Sequence, residues 1–345
     1  MRKLKILLIC CISFVLVACN ERLEQKSDIT YALGTISRIT IFDKADNDSE
    51  KYFKAISDLI KEKEKVFSKN LEISEVSMIN LMSGQGPITV SEEMAYLLLK
   101  SKEHALLSDG LFDITIGPII NLWDIGGTEA RVPGEEEIKE LLPYVDYTKI
   151  RLNTNNNEVE LLQDNMVIDL GGIAKGYIAD QAAEYMKELG IKHGIVNLGG
   201  DIVTIGGKPD GTPWRIGVQN PQEGRGETIG VISSFDNSIV TSGIYERFVL
   251  GDDDVIYHHM IDPRTGYPFE NELASVTIVS EFAIDGDALS TAVYGMGLEK
   301  GYLFVEALEN IDAVFITKEN EVYITTALKD RFELTNKHEF ILKEW

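Results

Sequence analysis

The feature that most constrains the fold is a change of rhythm at Gly190. Before it, three segments carry apolar residues at helical spacing. They are "DSEKYFKAISDLIKEKEKVFS", with Phe53, Ile56 and Ile60 on one face, "SEEMAYLLLKSKEHALLSDG", with Ser91 as N-cap and Gly110 as stop, and "AKGYIADQAAEYMKELG", closed by Gly190 itself. After Gly190 the apolar runs are short and broken by Gly, Asp and Pro, as in "HGIVNLGGDIVTIGG", "WRIGVQNP", "GETIGVISSF" and "ERFVLGDDDVIYHHMI". Such runs predict antiparallel strands joined by tight turns. "YALGTISRITIF" near the start alternates like one further strand, "DALSTAVYGMGLEKGYLFVEAL" reads as a late helix, and "DAVFIT" and "EVYITT" as closing strands. The expected class is α+β.

The first residues set the expected location. "MRKLK" is a cationic start, and the apolar run Ile6 to Ala18 is shorter than the ~20 residues a spanning helix needs. It reads as a secretion signal over residues 1–18. Its end, "LVAC", has a small residue before Cys19, the arrangement at which bacterial lipoprotein signals are cut and the cysteine is lipidated. All three cysteines, Cys10, Cys11 and Cys19, lie here, so the mature chain has no disulfide and no cysteine metal site. Acyl chains such as palmitate on Cys19 would hold the protein on the extracytoplasmic face of the cell membrane, each buried methylene contributing about 0.8 kcal/mol. Residues 19–28 are expected to form a short polar tether, leaving 29–345 as the folded domain.

With 56 acidic against 33 basic residues, the surface argues against nucleic acid and against attraction to anionic lipid. An anionic nucleotide is still compatible, because a metal ion or helix dipoles can reverse the potential inside one cleft. "DDD" at Asp252 to Asp254 reads as a solvated turn before it reads as a cation site.

Candidate chemistry begins at "VIDLGGIAKGYIAD", Val167 to Asp180, where an acid, paired glycines, a lysine and a third glycine lie between an apolar run and a helical run. Glycines at a helix start let backbone N–H groups approach a phosphate. The spacing matches neither the phosphate-loop pattern nor the dinucleotide fingerprint. A plain strand-to-helix turn with a surface lysine is the competing reading. Five other motifs stand out: "SDGLFDITIGP", "NLGGD", "TSGIYERF", "HHMIDPRTGYP" and "DGDALSTA". "NLGGD" could be only a hairpin turn, and Asp285 or Asp287 only a helix cap. Asp287 and Thr291, four apart, share a helix face and offer the hard oxygen ligands that Mg²⁺ accepts together with water and phosphate. His258 and His259 lie at a strand end, so one of them points away from the other. A histidine there is either a proton acceptor or a structural imidazole.

In order and spacing these motifs resemble the FAD:protein FMN transferases, the ApbE family of flavin transferase lipoproteins, from "LGT" at Leu33 to "DALSTA" near Thr291 and on into the closing strands. The resemblance implies an α+β fold of two lobes, with FAD in the cleft between a helix-rich and a strand-rich part. It implies that Asp169 and Lys175 contact FAD, that the Gly172 carbonyl joins Asp287 and Thr291 at Mg²⁺, and that Leu111, Phe112 and Asp113 contact the flavin nucleotide. Leu33 stands where many members have Met, and Asn70 where many have an aromatic residue; both are taken as FAD-contacting positions. His259 takes the place of the family's candidate base, helped by Asp287. The implied reaction attaches FMN from FAD, as substrate, to a threonine or serine of a secreted or membrane-anchored acceptor protein through a phosphoester bond, releasing AMP. Hydrolysis of FAD to FMN and AMP, and flavin binding without chemistry, are the alternatives.

Overall fold

A computed structural model describes residues 23–224, 226–251 and 255–345. The signal segment, Cys19 and Asp252 to Asp254 lie outside the described residues. Nine strands form the central sheet, in the spatial order Leu23–Ala32, Thr35–Lys44, Gly194–Leu198, Asp201–Ile205, Ser238–Gly243, Leu273–Ser280, Asp312–Thr317, Glu321–Ile324 and Ile341–Leu342. Every pairing is antiparallel except the last. The strand run around Leu33 is a hairpin and not a single strand. Leu33 and Gly34, with φ of 55° and 66°, make the two-residue turn whose twist suits paired strands. Its first arm starts at Leu23, so residues 23–28, expected as tether, belong to the sheet edge.

Both faces of the sheet are covered. Helices Glu50–Phe67, Ala174–Glu188 and Ala283–Met296 bury their apolar sides in one core with Val196 and Val240 of the strands, including Ile56, Ile60, Ile178, Ala182, Ala288 and Ala292. On the other face a small sheet of Trp214–Gln219, Thr228–Ser234 and Phe332–Leu334 packs Trp214, Ile216 and Ile232 against Ile239, Val314 and Ile316. Consequently Leu273–Ser280, deep in the sheet, is buried along its whole length and loses the alternation of a half-exposed strand.

The helix boundaries follow their capping chemistry. Ser91 Oγ accepts from the Met94 N–H at 3.1 Å and starts helix Glu92–Leu107, while the Gly110 N–H donates back to the Ala105 carbonyl at 2.8 Å. Gly190, at φ +84°, ends Ala174–Glu188, and the following Ile191 N–H returns to the Met186 carbonyl, a Schellman closure. The late helical run is two helices, Ala283–Met296 and Leu298–Glu306, because Gly297 adopts φ +74° between them. The first of these begins four residues upstream of Asp287, so Asp287 lies past the first turn and does not cap its own helix.

Gly176 sets how closely helices Ala174–Glu188 and Ala283–Met296 approach. A Cβ there would lie 2.2 Å from the Ala283 carbonyl oxygen and 2.9 Å from Asp287 Cβ. Alanine gains ~1 kcal/mol in helix propensity over glycine, but a clash with backbone cannot be relieved by a rotamer and costs ~3 kcal/mol. Gly176→Ala is therefore expected to lower stability by about 2 kcal/mol in urea unfolding. An unchanged or raised midpoint would show that the helices are free to separate.

Candidate active site

One cleft collects residues from distant parts of the chain: Thr35, the segment Leu111 to Ile116, the turn Asp169 to Lys175, Asp201, the stretch Thr241 to Arg247, His259, Asp287 and Thr291. Of the residues expected at the site, Leu111, Phe112, Asp113, Asp169, Gly172, Lys175, His259, Asp287 and Thr291 line it. Leu33 and Asn70 are not among the lining residues. Leu33 occupies the hairpin turn, with its N–H donating to Glu64 Oε1 at 2.9 Å, and Asn70 is exposed on the loop after the first helix.

The cleft is organised around Lys175. Its ammonium lies 2.8 Å from Asp201 Oδ2 and 3.0 Å from Asp287 Oδ1, and both carboxylates are buried. Burial alone would lower the lysine, but Asp201 and Asp287 override it and hold it above its usual range. Burial, reinforced by the Asp287 charge, pushes Asp201 up, while Lys175 pulls it the other way. Two buried acids thus share one cation, and the upward shift of Asp201 reflects the cost of keeping both charged. Asp287 Oδ2 also accepts from the Gly176 N–H at 3.1 Å.

Asp201 was not singled out by the sequence, although its motif was. "NLGGD" is indeed a hairpin turn, with Gly199 and Gly200 at φ 67° and 115°. That turn delivers Asp201, first residue of its strand, into the cleft. The glycine turn behaves differently from a phosphate cradle. Gly171 donates its N–H to Asp169 Oδ1 at 2.7 Å, and Asp169 Oδ2 pairs with Lys69 at 2.7 Å. Neither Gly171 nor Gly172 needs a positive φ; Gly172 is small because a Cβ would sit 3.3 Å from the Phe112 ring. Asp113, which lines the cleft, also braces its own segment. Its carboxylate accepts from the Thr115 N–H and hydroxyl and from the Tyr147 N–H, at 2.7 to 3.0 Å, which fixes the segment carrying Leu111 and Phe112.

The two histidines divide as strand geometry requires. His258 is buried, with Nε2 2.9 Å from the Phe269 carbonyl and its ring edge-on to Tyr294. His259 faces the cleft with Nδ1 3.3 Å from the Arg247 carbonyl. A ring nitrogen facing a carbonyl carries the proton, which leaves the lone pair on Nε2. Burial, then the Arg247 charge, push His259 down to about 4, so it is neutral at pH 7.

The charge balance at Lys175 is testable. Lys175→Met leaves two buried carboxylates without a counter-ion, and stability should fall by about 3 kcal/mol near pH 8. Asp201, whose folded pKa is raised, takes up a proton as pH falls, so the deficit should shrink by pH 5. Urea unfolding at both pH values checks this; an equal deficit at the two would contradict it.

The model of the ApbE family matches residues 33–315. The FAD:protein FMN transferase of Klebsiella pneumoniae (strain 342) is 36% identical over 274 residues, 79% of this chain and 84% of the relative. That of Treponema pallidum (strain Nichols) is 30% identical over 338 residues, 94% and 93% of the two chains. Among solved structures, the ApbE protein of Thermotoga maritima superposes with a TM-score of 0.82 at 33% identity, covering 89% of this chain and 99% of its own. The flavin transferase ApbE of Vibrio cholerae gives 0.80 at 30% identity, covering 90% and 100%. The motifs read from the sequence, the α+β fold and the cleft all agree with these matches, and the chain belongs to the ApbE family of flavin transferases.

Proposed function

We propose that this protein transfers FMN from FAD to a threonine or serine hydroxyl of an acceptor protein, with Mg²⁺ bound and AMP released. The observation that carries the reading is the pair of buried carboxylates, Asp201 and Asp287, sharing Lys175 in a cleft that also holds Thr291 and His259. The donor set fits a divalent cation. Two carboxylates against one lysine leave a surplus carboxylate, and Thr291 and Gly172 line the same cleft with hard oxygens. No three His, Cys, Asp or Glu side chains among the described residues form a metal cage of their own, which suits an ion completed by phosphate oxygens and water. Asp287, Thr291 and the Gly172 carbonyl would hold it. When bound, Mg²⁺ supplies positive charge to the pyrophosphate of FAD and to the leaving phosphate.

The residues of the chain do the rest. The Leu111 to Asp113 segment, braced by Thr115 and Tyr147, gives the nucleotide a rigid wall. His259 Nε2 accepts the proton of the incoming hydroxyl as its oxygen bonds to the FMN phosphorus. The bond from that phosphorus to the bridging oxygen breaks, and AMP departs with the oxygen. Both oxygens of Asp287 are already engaged by Lys175 and Gly176, so the proton goes to His259 and Asp287 serves as a charged ligand. Because His259 is neutral above about pH 4, the acid limb set by this base lies below neutral pH.

Lipidation at Cys19 belongs to the same reading, motivated by "LVAC" after the short apolar run. Among the described residues the sheet is already present at Leu23, four positions after Cys19 and so at most about 14 Å of chain from it. Mass spectrometry of the native N-terminus should find a diacylated or triacylated Cys19; an intact leader or an unmodified cysteine would overturn this part.

Incubation of the protein with FAD, Mg²⁺ and an acceptor should yield AMP and an acceptor peptide carrying the FMN mass in equal amounts. AMP with free FMN and no labelled peptide, from a verified acceptor, would mean that water is the nucleophile. His259→Ala should lower kcat by about 10²-fold or more while FAD affinity changes little, since a base acts mainly as the hydroxyl loses its proton. Asp287→Asn should lower the rate by about a hundredfold, equivalent to ~3 kcal/mol at the transition state, in protein that still folds. Near-normal transfer by either folded variant would contradict the role assigned to it.

A further inference from the structure

The two helices that bring Lys175 and Asp287 together lack N-cap side chains of their own. Each is capped by the other. The first N–H groups of helix Ala283–Met296, those of Ala283 and Ile284, donate to Asp180 Oδ1 and Oδ2 at 2.8 and 2.9 Å. In return the Gly176 N–H of helix Ala174–Glu188 donates to Asp287 Oδ2 at 3.1 Å. Asp180 stands four residues after Gly176, and Asp287 four after Ala283, so the exchange is reciprocal across an antiparallel pair.

The consequence for the cleft is one of register. A forked carboxylate gripping two successive N–H groups fixes both the position and the rotation at which the second helix begins. Asp287 follows one turn later, and its oxygens then fall on the Gly176 N–H and the Lys175 ammonium. Gly176 leaves no space for sliding, since its missing Cβ is where the Ala283 carbonyl passes. We propose that Asp180 is a positioning residue for the reaction, which sets the register of Asp287 and so tunes the affinity for the divalent cation without touching cation or flavin.

Asp180 itself does not line the active-site cleft. It lines a second cavity, together with Glu92, Glu93, Tyr177, Glu184, Lys187 and Glu281. Burial pushes its carboxyl up to about 7, with the two backbone N–H groups opposing and Asp285 adding. It is thus a costly group to bury, which a plain helix cap on an exposed helix start is not.

The inference rests on the metal-dependent reading above, and its test separates the two. Full-length protein carrying Asp180→Ala is titrated with Mg²⁺ at saturating FAD, at a temperature well below its unfolding midpoint, alongside hydrogen exchange of the Gly176 amide. The expected result is a Mg²⁺ half-saturation at least tenfold higher, with FAD affinity in the absence of Mg²⁺ within twofold of the parent, and Gly176 exchange at least tenfold faster. A cap that serves stability alone would lower the unfolding midpoint but leave Mg²⁺ half-saturation within twofold, and that result overturns the proposal. If Asp180→Ala does not fold, Asp180→Asn keeps one accepting oxygen and should show a smaller shift in the same direction; no shift in it overturns the proposal equally. If the parent protein itself shows no response to Mg²⁺, the metal reading fails, and Gly176 exchange alone decides whether Asp180 sets the register: faster exchange supports that role, unchanged exchange ends it.

Discussion

One ammonium between two buried carboxylates is the interaction on which the cleft depends. Lys175, Asp201 and Asp287 come from a helix, a strand and a second helix, and the lysine joins the three elements through its two ion pairs. Burying a single carboxylate without a partner costs several kcal/mol; two against one lysine leave a surplus carboxylate, which a proton on Asp201 or a bound cation would neutralise. The protein keeps this centre at the wall of an open cleft instead of its interior, where a cation and an anionic substrate can complete the balance. On a chain as acidic as this one, local arrangement and not net charge decides that an anionic nucleotide can be received.

The fold serves this centre with ordinary devices. A two-glycine hairpin delivers Asp201, a missing Cβ at Gly176 brings the two helices together, and Asp180 and Asp287 cap each other's helices. The small sheet behind the main one removes water from the opposite face, so the strand Leu273–Ser280 beneath helix Ala283–Met296 is covered on both sides. His259 stands on a separate segment, oriented by the Arg247 carbonyl, while its neighbour His258 is spent on structure.

Local signals in the sequence were read correctly where one stretch of chain decides the outcome. The Ser91 cap, the Gly190 stop and the switch from helical to strand rhythm need no distant partner, and neither does the split of His258 from His259. The family motifs located most of the cleft, because Asp169, Lys175, His259, Asp287 and Thr291 all line it. What escaped was tertiary pairing. Nothing within "NLGGD" says that its acid meets Lys175, nothing in "FSKN" says that Lys69 pairs with Asp169, and only the fold reveals that the cap for Ala283 is Asp180, over a hundred positions earlier. Leu33 and Asn70, expected at the ligand by position in a motif, sit on a turn with φ of 55° and on an exposed loop, outside the lining of the cleft. The N-terminal hairpin is not legible in the sequence because Leu, unlike Gly or Asn, is an unusual residue for a left-handed turn position.

The most direct test of this account is a crystal structure of the protein with FAD and Mn²⁺ in place of Mg²⁺, with the metal located by anomalous scattering. The account predicts one peak within about 2.5 Å of an Asp287 carboxylate oxygen, with Thr291 and the FAD pyrophosphate beside it. FAD bound in the cleft with no metal at Asp287, or with metal held by other residues, would contradict it.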